Sequence, residues 1–478
     1  MAEQQLKRSL KSRHMMMIAL GGSIGTGLFV AGGETISTAG PGGALVAYGL
    51  IGLMVYFLMT SLGEMATYLP TSGSFGTYAT RYVDPAFGFA LGWNYWFNWA
   101  ITLAAEILAG ALIMKYWFPD VPATLWSALF IAALFLINIL STRSFGESEY
   151  VFSSIKVITV FIFLFVGTML ILGIGGTSPG FENWTTGEAP FVGGFGSILA
   201  IFMVAGFSFQ GTELIGVAAG ESEDPEKNVP RAIKSIFWRI LMFYIGAFVV
   251  IGVLIPYTDP NLLNSSIENV SISPFTLVFD RFGFAAAASF INAIILTAVL
   301  SAGNSGLYSS TRMLYALAKE GQAPKVFLKL NKRGVPVPAL LATTAVGLFA
   351  FLTSFIGEGQ AYNWLVNISG MSGFIAWVGI AIAHYRFRRA FKAQGKSLSE
   401  LPFTASLFPF GPLLALVMCL FIIAGQNYSA FLGDQIDWYG VSVAYIGIPA
   451  FLILYLGYKF SKGTKLVPLK DMNLSRED

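Results

Sequence analysis

The chain has 478 residues, 55% of them hydrophobic and only 12% charged, whereas a soluble globular chain carries charge on roughly a quarter of its residues. That composition excludes a water-soluble globular fold, and a net charge of +3 says little about partners by itself. Cys419 is the lone cysteine, which excludes a disulfide framework or a cysteine metal site within the chain.

Residues 1–14 form a tail with Lys7, Arg8, Lys11 and Arg13 ahead of an apolar run. No small-residue cleavage pattern follows, so the tail reads as a cytoplasmic lead into the first helix and not as a signal peptide. The first segment, MMMIALGGSIGTGLFVAGG, carries Gly21, Gly22, Gly25 and Gly27 at mid-span, with Ser23 and Thr26 between them. Each glycine weakens a helix by about 1 kcal/mol relative to alanine, so the cluster marks a place where the helix can unwind. Apolar stretches follow at 44–69, 88–114, 123–140 and 150–173. Each covers most or all of the ~20 residues a helix needs to cross hydrocarbon.

A second interrupted segment, FGSILAIFMVAGFSFQGTELIGVAAG, lies about 185 residues beyond the first, a matching position in a second half. In it Gly206 and Gly211 bracket Phe207, Ser208, Phe209 and Gln210. Further apolar stretches occupy 235–256, 339–355, 371–383 and 441–458, and polar connectors run over 221–234, 310–338 and 384–409. Lipid offers the backbone no hydrogen-bond partner, and the segments lack the alternation of barrel strands, so an all-α membrane protein of about twelve transmembrane helices is expected.

About 26 of the 29 Lys and Arg fall in the two tails and in alternate loops, which the positive-inside rule assigns to the cytoplasm together with both termini. Lys115, Lys156 and Arg281 lie elsewhere, and Asp120, Glu182, Glu188, Asp259, Glu268, Asp434 and Asp437 fall on the opposite side. Orientation therefore explains the basic loops at 325–333 and 386–396 without nucleic acid. The domain reading is a cytoplasmic tail (1–14), one transporter domain (15–461) and a second tail (462–478). Within the domain, inverted repeats span about 15–175 and 193–386, followed by two helices at about 411–461.

An unwound turn frees N–H groups at the start of one half-helix and carbonyls at the end of the other, so one end attracts an anion and the other a cation. A zwitterionic amino acid meets both needs. Its carboxylate is expected on the amides around Ser23, Gly25, Thr26 and Gly27, and its α-ammonium on the carbonyls around Phe207, Ser208 and Gln210. Close helix packing through small residues is the competing explanation of either glycine cluster alone, whereas two clusters at matching positions favour a binding site.

Ionisable residues at membrane depth cost at least about 2.5 kcal/mol on insertion scales and are functional candidates by default. Three stand out, Glu106, Lys156 and Glu213. Glu106 suits a basic side chain or a proton, and packing as a neutral acid is its alternative. Lys156 either snorkels to the interface or sits between helices as an amine that loads and loses a proton. Glu213, directly after the second break, is read as a gate, a proton carrier or a bridge between helices. Phe207, Phe209 and the Trp93 to Trp99 cluster are candidates to line a pocket, with most of the cluster assigned to packing. Asn292, Ser301, Asn304, Ser305, Asn367 and Ser369 serve equally well as ligands or as interhelical glue. His14 and His384 have no metal-like partner at useful spacing, no metal or cofactor is expected, and no nucleophile–base pair suggests an enzyme.

Four passages resemble the amino acid-polyamine-organocation superfamily and, within it, the bacterial amino acid permeases. They are GGSIGTGLFVAGG at 21–33, SLGEMATYLPTSGSFGTYATRYVDPAFGFALGWNYWFNW at 61–99, GFSFQGTELIGVAAGESEDPEKNVPRAI at 206–233 and ILTAVLSAGNSGLYSSTRMLYALAKEGQAPK at 295–325. SFGESEY followed by FSSIKV, and VSISPFTLVFDRFG, look most like the lysine-specific permeases. The resemblance implies a leucine-transporter-type fold, a five-plus-five inverted repeat with broken helices 1 and 6, working by alternating access. It also implies that Ser23 to Gly27 hold the carboxylate, that carbonyls near Phe207 and Ser208 hold the amine, and that Lys156 replaces a coupling cation. The expected activity is import of L-lysine with protons across a bacterial inner membrane, with Glu106, Glu213 or both receiving the ε-ammonium. Relatives that carry neutral or aromatic amino acids also have an acid near both positions, and a permease for arginine, 4-aminobutyrate or neutral or aromatic amino acids is the alternative. A membrane sensor with little transport, or a regulatory protein partner, stays open at the level of sequence.

Overall fold

The computed structural model describes residues 6, 8–22, 24–29, 31–174, 178–263, 273–281, 283–284, 286–352, 358–431 and 435–476. Ser23, Glu268 and Asp434 lie outside the described residues, as do the side chains of Thr26 and Asn367. No β-strand occurs among the described residues, only two isolated bridges.

The chain enters through α1 (Ser12–Gly21) and α2 (Thr26–Phe29), then α3 (Ala31–Tyr68). Gly40 breaks α3 with φ 75° and ψ 170°, and Pro41 opens its second part. A side chain at Gly40 would put Cβ 2.5 Å from the Pro190 carbonyl oxygen, so the corner between the first two crossings needs glycine. After α4 (Ser74–Tyr82), α5 (Pro85–Met114) starts on an Asp84 cap that accepts from the Ala86 N–H at 2.9 Å, with Pro85 at the first helical position. Next come α6 (Ala123–Leu140), α7 (Thr142–Ile171), α8 (Gly194–Phe209) and α9 (Leu214–Ala219). α10 (Pro225–Arg239) runs through a π-helical stretch at Ile240–Gly246 into α11 (Ala247–Leu254). The short α12 (Pro260–Leu263) and α13 (Pro274–Arg281) precede α14 (Ala287–Lys319) and α15 (Val337–Gly347). α16 (Glu358–Ala393), α17 (Phe410–Gly425) and the bent pair α18 (Trp438–Tyr445) and α19 (Gly447–Lys462) complete the fold.

Among the described residues, eight helices are long and apolar enough to cross a bilayer. The bent pair, two shorter apolar helices and the interrupted α1–α2 supply the rest of the roughly twelve crossings expected. α5 is the central helix, its most apolar window 89% buried against α14, α16 and α4, whereas the corresponding window of α6 is 28% buried. Outward-facing Leu136, Phe165, Val417, Ile453 and Phe460 form an apolar exterior suited to lipid.

The first and last described segments, around Ser9 and Arg476, lie at one end of the bundle. The Ser9 and Leu10 amides donate to the Glu221 carbonyl at 3.0 Å each. Near the C-terminus, the Leu474 carbonyl accepts from the Tyr68 hydroxyl at 2.7 Å and the Met472 carbonyl from Gln394 Nε2 at 2.8 Å, while Arg476 pairs with Glu226.

Candidate functional site: a cavity between two broken helices

Both helix interruptions fall on the expected glycine clusters: α1 ends at Gly21 and α2 resumes at Thr26, while α8 ends at Phe209 and α9 begins at Leu214. The two breaks touch. A Cβ on Gly27 would lie 2.5 Å from Ser208 Oγ, and one on Gly211 would lie 2.6 Å from the Gly22 carbonyl oxygen. Gly211 also has φ +96°, a conformation that side chains with a Cβ rarely adopt. Glycine therefore fixes both the turn and the distance of approach.

A cavity lies between the breaks, lined by Gly22, Gly25, Gly27, Phe207, Ser208 and Gln210, with Trp99, Thr102 and Glu106 from α5 and Ala302 from α14. Amides at the start of a helix lack intrahelical acceptors, which is the condition of the backbone around Gly25 and Gly27. On the other break, the Phe207 carbonyl accepts from the Gln210 amide at 3.1 Å and the Ser208 carbonyl from the Tyr244 hydroxyl at 2.6 Å. A carbonyl has two lone pairs, so each keeps capacity for a further donor. Gln210 Nε2 donates to the Gly370 carbonyl at 2.9 Å, which ties the second break to α16.

The ionisable candidates occupy different environments. Glu106 lines the cavity, is 5% exposed, and its Oε2 has no hydrogen-bond partner. Trp99, also on the cavity wall, packs edge-on against Tyr95 with ring centroids 6.2 Å apart. An unmet acceptor on a residue that lines the cavity is what a polar solute would satisfy. Lys156 is 0% exposed and its Nζ donates to the Gly21 carbonyl at 2.8 Å, so it sits on the C-terminal end of α1 and does not snorkel. Its charge interacts with Glu106 and with Glu149.

Glu213 does not line the cavity. Its carboxylate accepts from the Gly211 amide at 3.1 Å and 3.3 Å, from the Tyr95 hydroxyl at 3.3 Å and from Trp377 Nε1 at 3.2 Å. It therefore bridges α5, α16 and its own turn. Phe209 stacks on Tyr244 with ring centroids 4.2 Å apart, away from the cavity that Phe207 lines. Trp93 and Trp96 donate to the Gln322 carbonyl and to Thr343, in keeping with packing and anchoring.

Glu149 and Arg239 are among the buried charges that the sequence did not single out. Glu149, 0% exposed in α7, accepts from Ser153 at 3.1 Å and from Ser301 at 2.5 Å. Its spacing of four residues to Ser153 and seven to Lys156 was the available signal, because those intervals share a helix face. Arg239 falls in the count of cytoplasmic-loop bases, and the structure corrects this: it is 1% exposed at the end of α10 and donates to the Ala19 carbonyl. Its position inside the apolar run IFWRILMFYIG was the clue. Among the polar residues left open between two roles, Ser301 and Asn304 reach Glu149, and Ser369 bonds Asn98 and Thr102 as interhelical glue. Asn292 and Ser305 are buried with side-chain polar atoms unpartnered. No cluster of metal-ligating residues occurs among the described residues.

Comparison with known proteins agrees with this architecture. Residues 14–470 match the family model described as Amino acid permease. The chain is 59% identical over 475 residues to the lysine-specific permease LysP of Escherichia coli (strain K12), covering 99% of this chain and 97% of that one. It is 58% identical over 481 residues to the lysine-specific permease LysP of Lactococcus lactis subsp. cremoris (strain MG1363), with 99% and 94% covered. The histidine permease HisP of the same Lactococcus strain is 52% identical over 477 residues, with 99% of each chain covered. With an all-helical membrane fold, two facing helix breaks and a family match over nearly its whole length, the chain belongs to the amino acid permease family and is an amino acid transporter.

Proposed function

We propose that the protein is a secondary active transporter that imports L-lysine across the bacterial inner membrane by proton symport and alternating access, with both termini cytoplasmic. In this reading residues 15–461 act as one transporter domain. The amides around Ser23 to Gly27 receive the α-carboxylate and the carbonyls of Phe207 and Ser208 the α-ammonium. The observation that carries the reading is the unpartnered Oε2 of Glu106 on the cavity wall. A buried carboxylate oxygen without a donor is costly, and an ε-ammonium entering the cavity would satisfy it. Glu213 already has its donors, so its part is to hold the second break in shape. The names of the two relatives at 58% and 59% identity point to the same substrate. Lys156 takes the place of a coupling cation, so the coupling ion is the proton and no cofactor takes part.

The test is uptake of labelled lysine by the purified protein in proteoliposomes, competed by arginine, ornithine, histidine and phenylalanine. Strong competition by unlabelled lysine and little by phenylalanine is the expected result. Histidine competing as well as lysine would overturn the substrate assignment. Uptake that stopped without sodium at a constant pH gradient would overturn proton coupling, and binding without counterflow would make the protein a sensor.

A further inference from the structure

The Lys156 charge interacts with two buried carboxylates, and only one of them lines the substrate cavity. Glu106 is on the cavity wall. Glu149 belongs to the same helix as Lys156, seven residues earlier, which is two turns or about 10 Å nearer the end of the bundle where Ser9 and Arg476 lie. Neither carboxylate forms a direct ion pair with the ammonium, whose hydrogen bond goes to the Gly21 carbonyl at 2.8 Å.

Ser153 fills the step between them. Its hydroxyl donates to Glu149 Oε1 at 3.1 Å, and its side chain packs against Gly21 so closely that a Cβ there would fall 2.1 Å from Ser153 Oγ. Beyond Glu149 the polar chain continues. Ser301 donates to Oε1 at 2.5 Å and Asn304 Nδ2 reaches Oε2 at 3.5 Å, Ser148 Oγ at 3.2 Å and, through its own Oδ1, Asn138 at 2.8 Å. A completely buried carboxylate held by neutral donors is expensive for a structural joint that two amides could make as well.

Resting on the proton-coupled reading above, we infer that Glu149 is the station that takes the proton from Lys156 on its way to the cytoplasm. In this step the Nζ–H bond of the ammonium breaks and an O–H bond forms on Glu149. The pair passes from one positive and one negative charge to two neutral groups. The carboxylic acid then releases its proton toward the half-buried Ser148 at the adjacent position of α7, with Asn304 holding the emptied carboxylate, and Lys156 is ready to be recharged from the cavity side past Glu106. The other ionisable groups around Glu149 are His14, packed on Gly146 from α1, and the Glu221–Arg312 pair with Tyr308, beside Phe145. Glu147, on the outer face of α7, is engaged by Arg13 and His14. Among the described residues none of these pairs with Glu149, so Lys156 is the cation it answers to.

The experiment compares two transport modes in Glu149→Gln proteoliposomes. Lysine counterflow needs no net proton movement, while accumulation driven by a pH gradient does. Losing a proton acceptor costs about 100-fold in a proton-transfer step, so driven accumulation should fall by about that factor while counterflow falls less than about threefold. Glu149→Asp should recover part of the driven mode, which a merely structural carboxylate would not require. Equal loss in both modes, or driven accumulation at the parental level, overturns the assignment. If Glu149→Gln does not bind lysine, Ser153→Ala carries the test: it must slow driven accumulation more than counterflow, and equal effects overturn the proposal. A parent protein that ignores the pH gradient would instead overturn the coupling reading itself.

Discussion

The two helix breaks solve the same backbone problem with opposite charges. At the first, the exposed carbonyl end of α1 is held by cations, Lys156 on the Gly21 carbonyl and Arg239 on the Ala19 carbonyl. At the second, the freed Gly211 amide ahead of α9 is held by an anion, Glu213. Each charge sits where the helix dipole favours it. The difference lies in what is left over: Glu213 has its donors in α5 and α16, whereas the first break faces a cavity wall where Glu106 keeps an unmet oxygen. The Gly211 amide of the second break is braced by protein, and in the proposed reading the solute meets the first break together with the Phe207 and Ser208 carbonyls of the second.

That contrast can be broken experimentally, and the largest effect belongs to the contact between the breaks. Gly211→Ala adds a strained backbone and a Cβ at 2.6 Å from the Gly22 carbonyl. Strain and overpacking each cost ~1–3 kcal/mol, so thermal unfolding in detergent should register a loss of about 3 kcal/mol or more, together with most of the uptake. A variant as stable as the parent would mean the breaks do not meet.

Glu106→Gln comes next. Losing a charged hydrogen bond to the ε-ammonium costs ~1.5–3 kcal/mol, so lysine affinity should drop about 10- to 100-fold with unfolding unchanged. Unchanged affinity would remove Glu106 from the site. Glu213→Gln should do the reverse. It keeps an acceptor but turns a donor toward buried donors, which lowers stability by about 1–2 kcal/mol and shifts lysine affinity less than about threefold. An affinity loss matching that of Glu106→Gln would erase the distinction between braced and open breaks. The smallest effect is expected for Arg239→Lys. A cation is retained near α1 while two unpartnered guanidinium nitrogens leave, so stability should change by no more than about 1 kcal/mol. A larger loss would show that those nitrogens matter in another conformation.

Much of this was legible in the sequence because it rests on local chain chemistry. Glycine clusters announce unwinding, apolar length announces crossings, and Glu106 and Lys156 stand out as charges in apolar text. Partner choice was less legible. Nothing local separates Glu106 from Glu213, since the difference comes from Tyr95 and Trp377, more than a hundred residues away from Glu213 in either direction by sequence. Glu149 was hidden by its polar neighbours in SFGESEY, where a short-range reading takes it for a loop charge. Arg239 was hidden by the loop basic residues just before it, and only the fold shows that it reaches α1.

The short stretch from Glu221 to Glu226 receives the chain's beginning at one end and its finish at the other, through Ser9 and Leu10 and through Arg476. It works as a knot in a lace threaded from both sides. Trimming the final dozen residues for crystallisation or fusion would therefore strip Met472 and Leu474 from buried seats and slacken the loop that also moors the opposite terminus. A purification tag belongs beyond Arg476, on a spacer long enough to leave the lacing untouched.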